Sequence, residues 1–290
     1  MKVTYKAAAK INLMLDILSR LDNGYHSLFM IMQSVSLFDE VSVEKTDRGG
    51  IIIKSSEKRI PCDETNIAYK AAKKFFDKTG IEDHNISIYL KKSIPFAAGL
   101  AGGSADGAAV IAALNDLYDT GLTVKELCSI GAKVGADVPF CLTGGTMAAQ
   151  NIGDVLSDLP CLDDCYIVLS KPDAGVSTAA AYAEFDKNHV RHLDTVSMLY
   201  AAANGDFDGI CRHTGNVFEQ LIEVPQRVDI KGVMYDNGAE CACMSGSGPT
   251  VFGIFKEKAN AENAYNTLKN KYEQSYICTP VKSGLVKTEG

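Results

Sequence analysis

The chain has 290 residues, 46% hydrophobic and 22% charged, a balance that fits a folded globular protein and excludes a disordered or collagen-like one. Its formal net charge is −7 with no basic block, which argues against nucleic acid as a partner but leaves room for an anionic small molecule held by a few local donors. No apolar run approaches the ~18 residues of a membrane span, and nine scattered cysteines behind a start broken by Lys10, Asn12 and Asp16 read as a cytoplasmic chain with free thiols and no membrane partner.

Residues 9–19 alternate, with Ile11, Leu13, Leu15 and Ile17 on one side and Lys10, Asn12 and Asp16 on the other, as in a strand with one apolar face. Asp22-Asn23-Gly24 is a hairpin turn signal, because Asn and Gly tolerate positive φ. A second strand is expected over 25–37, and Val41, Val43 and residues 51–53 suggest further short strands. Residues 65–78 read as a helix with Ala68, Ala71, Ala72, Phe75 and Phe76 inward, and 85–91 as a strand with Ile86, Ile88 and Leu90 on one face. A helical pattern runs from Ser104 to about Tyr118. Thr123 and Glu126 form a capping box opening the next helix, with Gly135 as a candidate C-terminal cap and Asp137-Val138-Pro139 as a tight turn. Residues 146–151 read as a strand.

The texture changes around residues 155–162. Beyond it, 166–169, 233–235, 241–244 and 251–254 read as short strands, and 178–185, 195–203, 217–221 and 259–271 as helices. Strands and helices mix without strict alternation, so an α+β protein in two lobes is expected, 1–158 and 159–290.

Between a predicted strand and a predicted helix lies Gly99-Leu100-Ala101-Gly102-Gly103-Ser104. Glycines let the backbone approach a ligand closely, and a helix N-terminus adds unpaired N–H groups and a positive dipole end. The combination suits a di- or triphosphate. It is no Walker loop, since no Gly-Lys-Ser or Gly-Lys-Thr follows, and its spacing misses the dinucleotide fingerprint. Taken alone, the loop could also serve only to reverse the chain. Asp106 in the first helical turn would repel phosphate unless a metal ion stood between them, which hints at Mg²⁺. Local sequence alone leaves Asp137 an ordinary turn residue and Lys10 a solvated strand lysine.

Pro95 to Ala105 resembles the ATP-binding signature of the GHMP kinase superfamily, and Met244-Ser245-Gly246-Ser247-Gly248-Pro249-Thr250-Val251-Phe252-Gly253 resembles its third motif. Ala9-Lys10-Ile11-Asn12-Leu13, Asp22-Asn23-Gly24-Tyr25-His26 and Gly135-Ala136-Asp137-Val138-Pro139-Phe140 narrow the resemblance to members acting on a cytidine diphosphate-linked polyol. The resemblance implies a GHMP-kinase-like fold with an N-terminal ATP-binding lobe and a C-terminal ferredoxin-like substrate lobe. It implies an ATP-dependent kinase using ATP and Mg²⁺, with phosphoryl transfer directly to an alcohol.

On that resemblance Asp137 is the general base and Lys10 its catalytic neighbour. Pro95, Phe96, Ala97, Ala98, Gly99, Leu100, Ala101, Gly102, Gly103, Ser104, Ala105 and Asp106 hold ATP, with Asn66 near the adenine and Lys92 near the phosphates. Tyr25 stacks on the cytosine and His26 hydrogen-bonds it. Asn12, Thr178 and Tyr182 also face the substrate, Tyr182 as a second ring. Gly246, Ser247 and Gly248 cradle its diphosphate. The Mg²⁺ ligands are unassigned, residues 186–213 carry no motif, and monomer and homodimer are equally compatible. Gly107 stands where the family usually has Ala, at about 1 kcal/mol in helix propensity, and Phe96 where it often has Val. Homoserine kinase, mevalonate kinase, diphosphomevalonate decarboxylase and a nucleotide-binding protein without turnover stay open as rivals.

Overall fold

A computed structural model of the chain describes residues 1–22, 24–47 and 49–290. It opens with a long antiparallel hairpin, β1 (Lys2–Arg20) and β2 (His26–Lys45), paired from Lys2↔Glu44 to Arg20↔His26 with register shifts between Ala8 and Ala9, Asn12 and Met14, and Ile17 and Ser19. Asn23, expected in the turn, lies outside the described residues. The separate strands expected at 25–37 and around Val41 are one element. β2 runs on because β1 pairs with its whole length, and the polar Asp39 that looks like a break is buried and partnered.

The expected polar face of β1 is also buried, with Lys10, Asn12 and Asp16 all inside. The second lobe packs there: Met14 and Leu15 pair in parallel with a short later strand at Gly215–Asn216.

β3 (Ile51–Ser55) and β4 (Ile86–Lys91) are parallel, joined across α1 (Ile67–Thr79). α1 starts after Asn66, whose side chain caps it, and buries the five core residues read from its spacing. α2 (Gly102–Leu117) begins two residues before the expected Ser104, so the glycines are its first turn. A Cβ on Gly107 would stand 3.0 Å from Ile67 Cγ2 and 3.6 Å from Ala71 Cβ, so this glycine lets α1 and α2 pack closely.

α3 (Val124–Gly131) carries the expected capping box: Glu126 N–H donates to Thr123 Oγ1 at 3.4 Å and Thr123 N–H to Glu126 Oε2 at 2.8 Å. Gly135 is not its C-cap. The helix ends earlier, with Ala132 in the right-handed cap position. The tight turn expected at 137–139 is instead the start of α4 (Val138–Thr143). Proline fits there because a first-turn residue needs no N–H partner. The hairpin β5 (Thr146–Asn151) and β6 (Val155–Leu159) adds to β2.

The second sheet starts with β7 (Tyr166–Lys171). Then come α5 (Thr178–Phe185), α6 (Thr195–Ala203), α7 (Phe207–His213), β8 (Gly215–Asn216) and a 3₁₀ turn at Val217–Gln220 where a helix was expected. Next are α8 (Arg227–Asp236), β9 (Cys241–Met244), β10 (Val251–Phe255), α9 (Lys258–Lys271), β11 (Gln274–Cys278) and β12 (Leu285–Glu289). Residues 233–235, read as a strand, belong to α8. Ile230 and Met234, four apart, bury one helical face, which a three-residue window could not reveal.

The antiparallel order β11-β7-β10-β9, with α8 and α9 as crossovers, is the ferredoxin-like arrangement. β12 returns to the first sheet and pairs with β1. Among the described residues no helix is long and apolar enough to cross a membrane.

Candidate active site

The lobes enclose a cleft of about 1080 Å³, lined by every site residue read from the sequence except Asn12 and Ala105. Ala105 is fully buried in the core beneath α2. Asn12 is fully buried as well, and its side chain is taken up within the protein. Its Oδ1 accepts from Lys10 Nζ at 2.7 Å and from the Gly246 N–H at 3.1 Å. Asn12 therefore sits behind Lys10 and the second glycine turn, off the cleft wall.

The first glycine loop is held in left-handed backbone at Ala97 (φ 50), Gly99 (φ 73) and Ala101 (φ 56). For the two alanines that conformation costs about 1–2 kcal/mol each. Ala101 is the N-cap of α2 and gives it no side-chain cap, which leaves the first-turn N–H groups of Gly102, Gly103 and Ser104 beside the cleft.

The two glycine turns touch backbone to backbone. A Cβ on Gly99 would collide with the Ser245 carbonyl oxygen, and one on Gly246 would stand 3.0 Å from the Gly99 oxygen. Ser245 Oγ donates to Gly99 O at 2.9 Å, and Asn216 Nδ2 donates to the Met244 and Gly246 oxygens at 2.8 and 2.7 Å. Thr178 Oγ1 and Ser247 Oγ, 2.9 Å apart, tie the start of α5 to the same turn.

At the centre, Lys10 from β1 meets Asp137 from the start of α4, Nζ to Oδ2 3.6 Å. Asp137 occupies an N-cap position without bonding the helix, and its side chain is 31% exposed against 6% for Lys10.

Lys92, just beyond β4, donates to Asp106 Oδ2 at 2.5 Å, to Asp39 Oδ2 and to Gly102 O at 3.4 Å. Burial pulls its pKa down, but the two carboxylates outweigh this and hold the ammonium above its ordinary value. Burial pushes the Asp106 carboxyl up to about 7, against the pull of Lys92 and with the charge of Asp39 adding to it. Asp106 Oδ1 is buried without a hydrogen-bond partner among the described residues.

At one end of the cleft Asn66 has both polar side-chain atoms engaged: Oδ1 accepts from the Ala68 N–H at 2.8 Å, and Nδ2 donates to Pro61 O at 2.6 Å. It shapes this end as a helix cap, beside the apolar Ile60, Pro61, Ile67 and Phe96. At the other end the His26 ring stacks on Tyr182 at 4.9 Å and 27° and meets Phe185 edge-on at 5.7 Å. His26 Nε2 lies 2.8 Å from Asp186 Oδ1, and that bond holds the Asp186 carboxyl below its usual range. Burial, followed by the charge of Asp137, pushes the Tyr182 phenol up to about 12. Tyr25 stands at the mouth, 62% exposed.

Asp39, Asp186, Ser245 and Asn216 were not singled out by sequence reasoning. Ser245 lay inside a quoted motif, and Asp186 sits one helical turn after Tyr182, which is a usable signal. Nothing local marked Asp39 or Asn216.

Two glycine turns meeting over a lysine–aspartate pair, between a mixed lobe and a ferredoxin-like lobe, define a small-molecule kinase of the GHMP type. The family profile for the GHMP kinases N terminal domain matches residues 66–145, and that for the GHMP kinases C terminal matches 198–274. The chain belongs to the GHMP kinase family and is an ATP-dependent small-molecule kinase.

It is 42% identical over 290 residues to the 4-diphosphocytidyl-2-C-methyl-D-erythritol kinase of Listeria monocytogenes serotype 4a, covering 98% of each chain. It is 42% identical over 279 residues to the same-named enzyme of Clostridium acetobutylicum, covering 95% of this chain and 99% of the relative. The crystal structure of a 4-(cytidine 5'-diphospho)-2C-methyl-D-erythritol kinase matches with TM-score 0.79 at 29% identity, covering 96% of this chain and 98% of the other. A homoserine kinase from Cytophaga hutchinsonii, at TM-score 0.82 and 22% identity over 99% of this chain and 97% of its own, shares the fold.

Proposed function

We propose that this chain transfers the γ-phosphoryl group of ATP to the 2-hydroxyl of 4-diphosphocytidyl-2-C-methyl-D-erythritol, a step of the non-mevalonate isoprenoid pathway, in the cytoplasm. One observation carries the reading. The Lys10–Asp137 pair, the uncapped N-terminus of α2 and the stacked His26–Tyr182 pair all line one cleft.

The N-terminus of α2 and Lys92 receive the triphosphate. The apolar wall around Phe96 takes the adenine. Tyr25, His26 and Tyr182 take the cytosine, and Gly246, Ser247 and Gly248 face the substrate diphosphate. Asp137 accepts the hydroxyl proton as the oxygen attacks. Lys10, aimed by Asn12, stabilises charge on the transferring group.

The unpartnered Asp106 Oδ1 fits Mg²⁺, which takes one or two carboxylates and completes its shell with phosphates and water. When bound, the ion neutralises developing phosphate charge.

The fold is equally that of homoserine and mevalonate kinases, and the aromatic end of the cleft is what favours a cytidine-bearing acceptor. A coupled ADP-release assay with each acceptor tests this. Turnover on mevalonate or homoserine, with none on the cytidyl substrate, would overturn the assignment.

A further inference from the structure

We propose that Asp39 is a positioning residue for the nucleotide, aiming the Lys92 ammonium and fixing the entry of the glycine loop. The inference rests on the reading that the triphosphate sits on that loop.

Asp39 is fully buried, and unlike Lys92 and Asp106 it does not line the cleft. Its place follows from strand register. The next residue of β2, Glu40, pairs with Lys91, the last residue of β4. Asp39 thus lies just where the chain leaves the sheet. It takes hold of three consecutive residues there. Oδ1 accepts from the Ser93 N–H at 2.6 Å and the Ile94 N–H at 2.9 Å, and Oδ2 accepts from Lys92 Nζ.

Lys92 in turn reaches Gly102 O and Asp106 Oδ2 in the first turn of α2. One buried carboxylate and one ammonium therefore staple the two ends of the loop together. A buried carboxylate without such partners would be costly. Among the described residues every bond that compensates it is spent on the loop or on Lys92. Asp39 touches no space a nucleotide can enter, so it acts through Lys92.

Asp39→Asn keeps the size and removes the charge. With its amide oxygen toward Ser93 and Ile94, its NH₂ faces the Lys92 ammonium, donor against donor. Flipped, it sets donors against the two backbone N–H groups. Either way the staple loses a partner.

The test is calorimetry with ADP and no acceptor, together with steady-state kinetics. Asp39→Asn is expected to weaken ADP about tenfold or more, as for a lost charge-assisted hydrogen bond. KM for ATP should rise in parallel while KM for the acceptor stays within about twofold. Lys92→Met should weaken ADP similarly, and the double variant should bind within about twofold of Lys92→Met alone.

Wild-type-like ADP affinity in Asp39→Asn overturns the role. So does a double variant that loses the full product of the two factors, because Asp39 then acts independently of Lys92. Asp39→Ala, which removes the bonds to the backbone and to Lys92 together without leaving a misplaced donor, is the second variant. Failure of both to fold also overturns the proposal and assigns Asp39 to the fold alone. If the wild-type chain itself binds no ADP, the nucleotide reading fails instead.

Discussion

The Lys10 ammonium stands 3.6 Å from the Asp137 carboxylate and only 2.7 Å from Asn12 Oδ1. Its shorter bond is to a neutral partner, so the ammonium is anchored without being spent on the acid. Asp137, at the N-cap of α4, makes no side-chain cap bond and stays open to an incoming hydroxyl. Asp137→Asn is therefore expected to lower kcat by about 10²–10⁴-fold with both KM values nearly unchanged. ADP release under saturating substrates measures it. A variant keeping a tenth or more of the normal kcat would remove Asp137 from the role of base.

Tyr25 is exposed at the mouth while His26 beside it is buried against Tyr182 and Phe185. Tyr25→Ala should cost the cytidyl substrate about 1–3 kcal/mol of binding, the worth of one base–aromatic stack, and leave ATP affinity in place. Separate titrations of the two ligands decide it. An equal loss for both would put Tyr25 in general folding.

Helix and strand periodicity made much of the fold legible. The inward face of α1 and the bounds of α5, α6, β5 and β9 follow from spacing and caps. Periodicity misled where distant chain decided burial. The alternation of β1 says that Lys10, Asn12 and Asp16 face water, and only the second lobe makes that face an interior. The loop residues that line the cleft are contiguous in sequence, so the motif carried them. Their supports are not contiguous: Asp39 is 53 positions from Lys92, and Asp186 is 160 from His26. Nothing within a local window ties such pairs together.

Gly99 meets two demands at once, a left-handed φ of 73 and contact with the second glycine turn. Its Cβ would collide with Ser245 O and stand 3.1 Å from Gly248 O, both of them backbone atoms that no rotamer change can move aside. Gly99→Ala should destabilise the protein by about 2–4 kcal/mol, adding left-handed strain to overpacking. It should also raise KM for both substrates, since the two turns part together. Thermal melts and kinetics check this. An unchanged Tm would show that the turns yield without cost.

Asp106 gives a pH dependence whose sign can be worked out. Its carboxyl titrates near 7 in the folded chain, raised first by burial, against an ordinary value of 3.8. Between those values the folded state holds a proton that the unfolded chain has lost. Folding stability from this group is therefore fully present below about pH 4 and disappears as pH rises through 7. Asp106→Asn removes the titration and leaves an oxygen able to accept from Lys92. The melting temperature of the variant minus that of the wild type should thus climb from pH 5 to about pH 7 and level off by pH 8, because groups that titrate alike in both chains cancel in the difference. In parallel, Mg²⁺ should strengthen ADP binding to the wild type more at pH 8 than at pH 6, where Asp106 is protonated, and the variant should lack that gain. A temperature difference that stays flat across the range would mean that Asp106 is already ionised at pH 5.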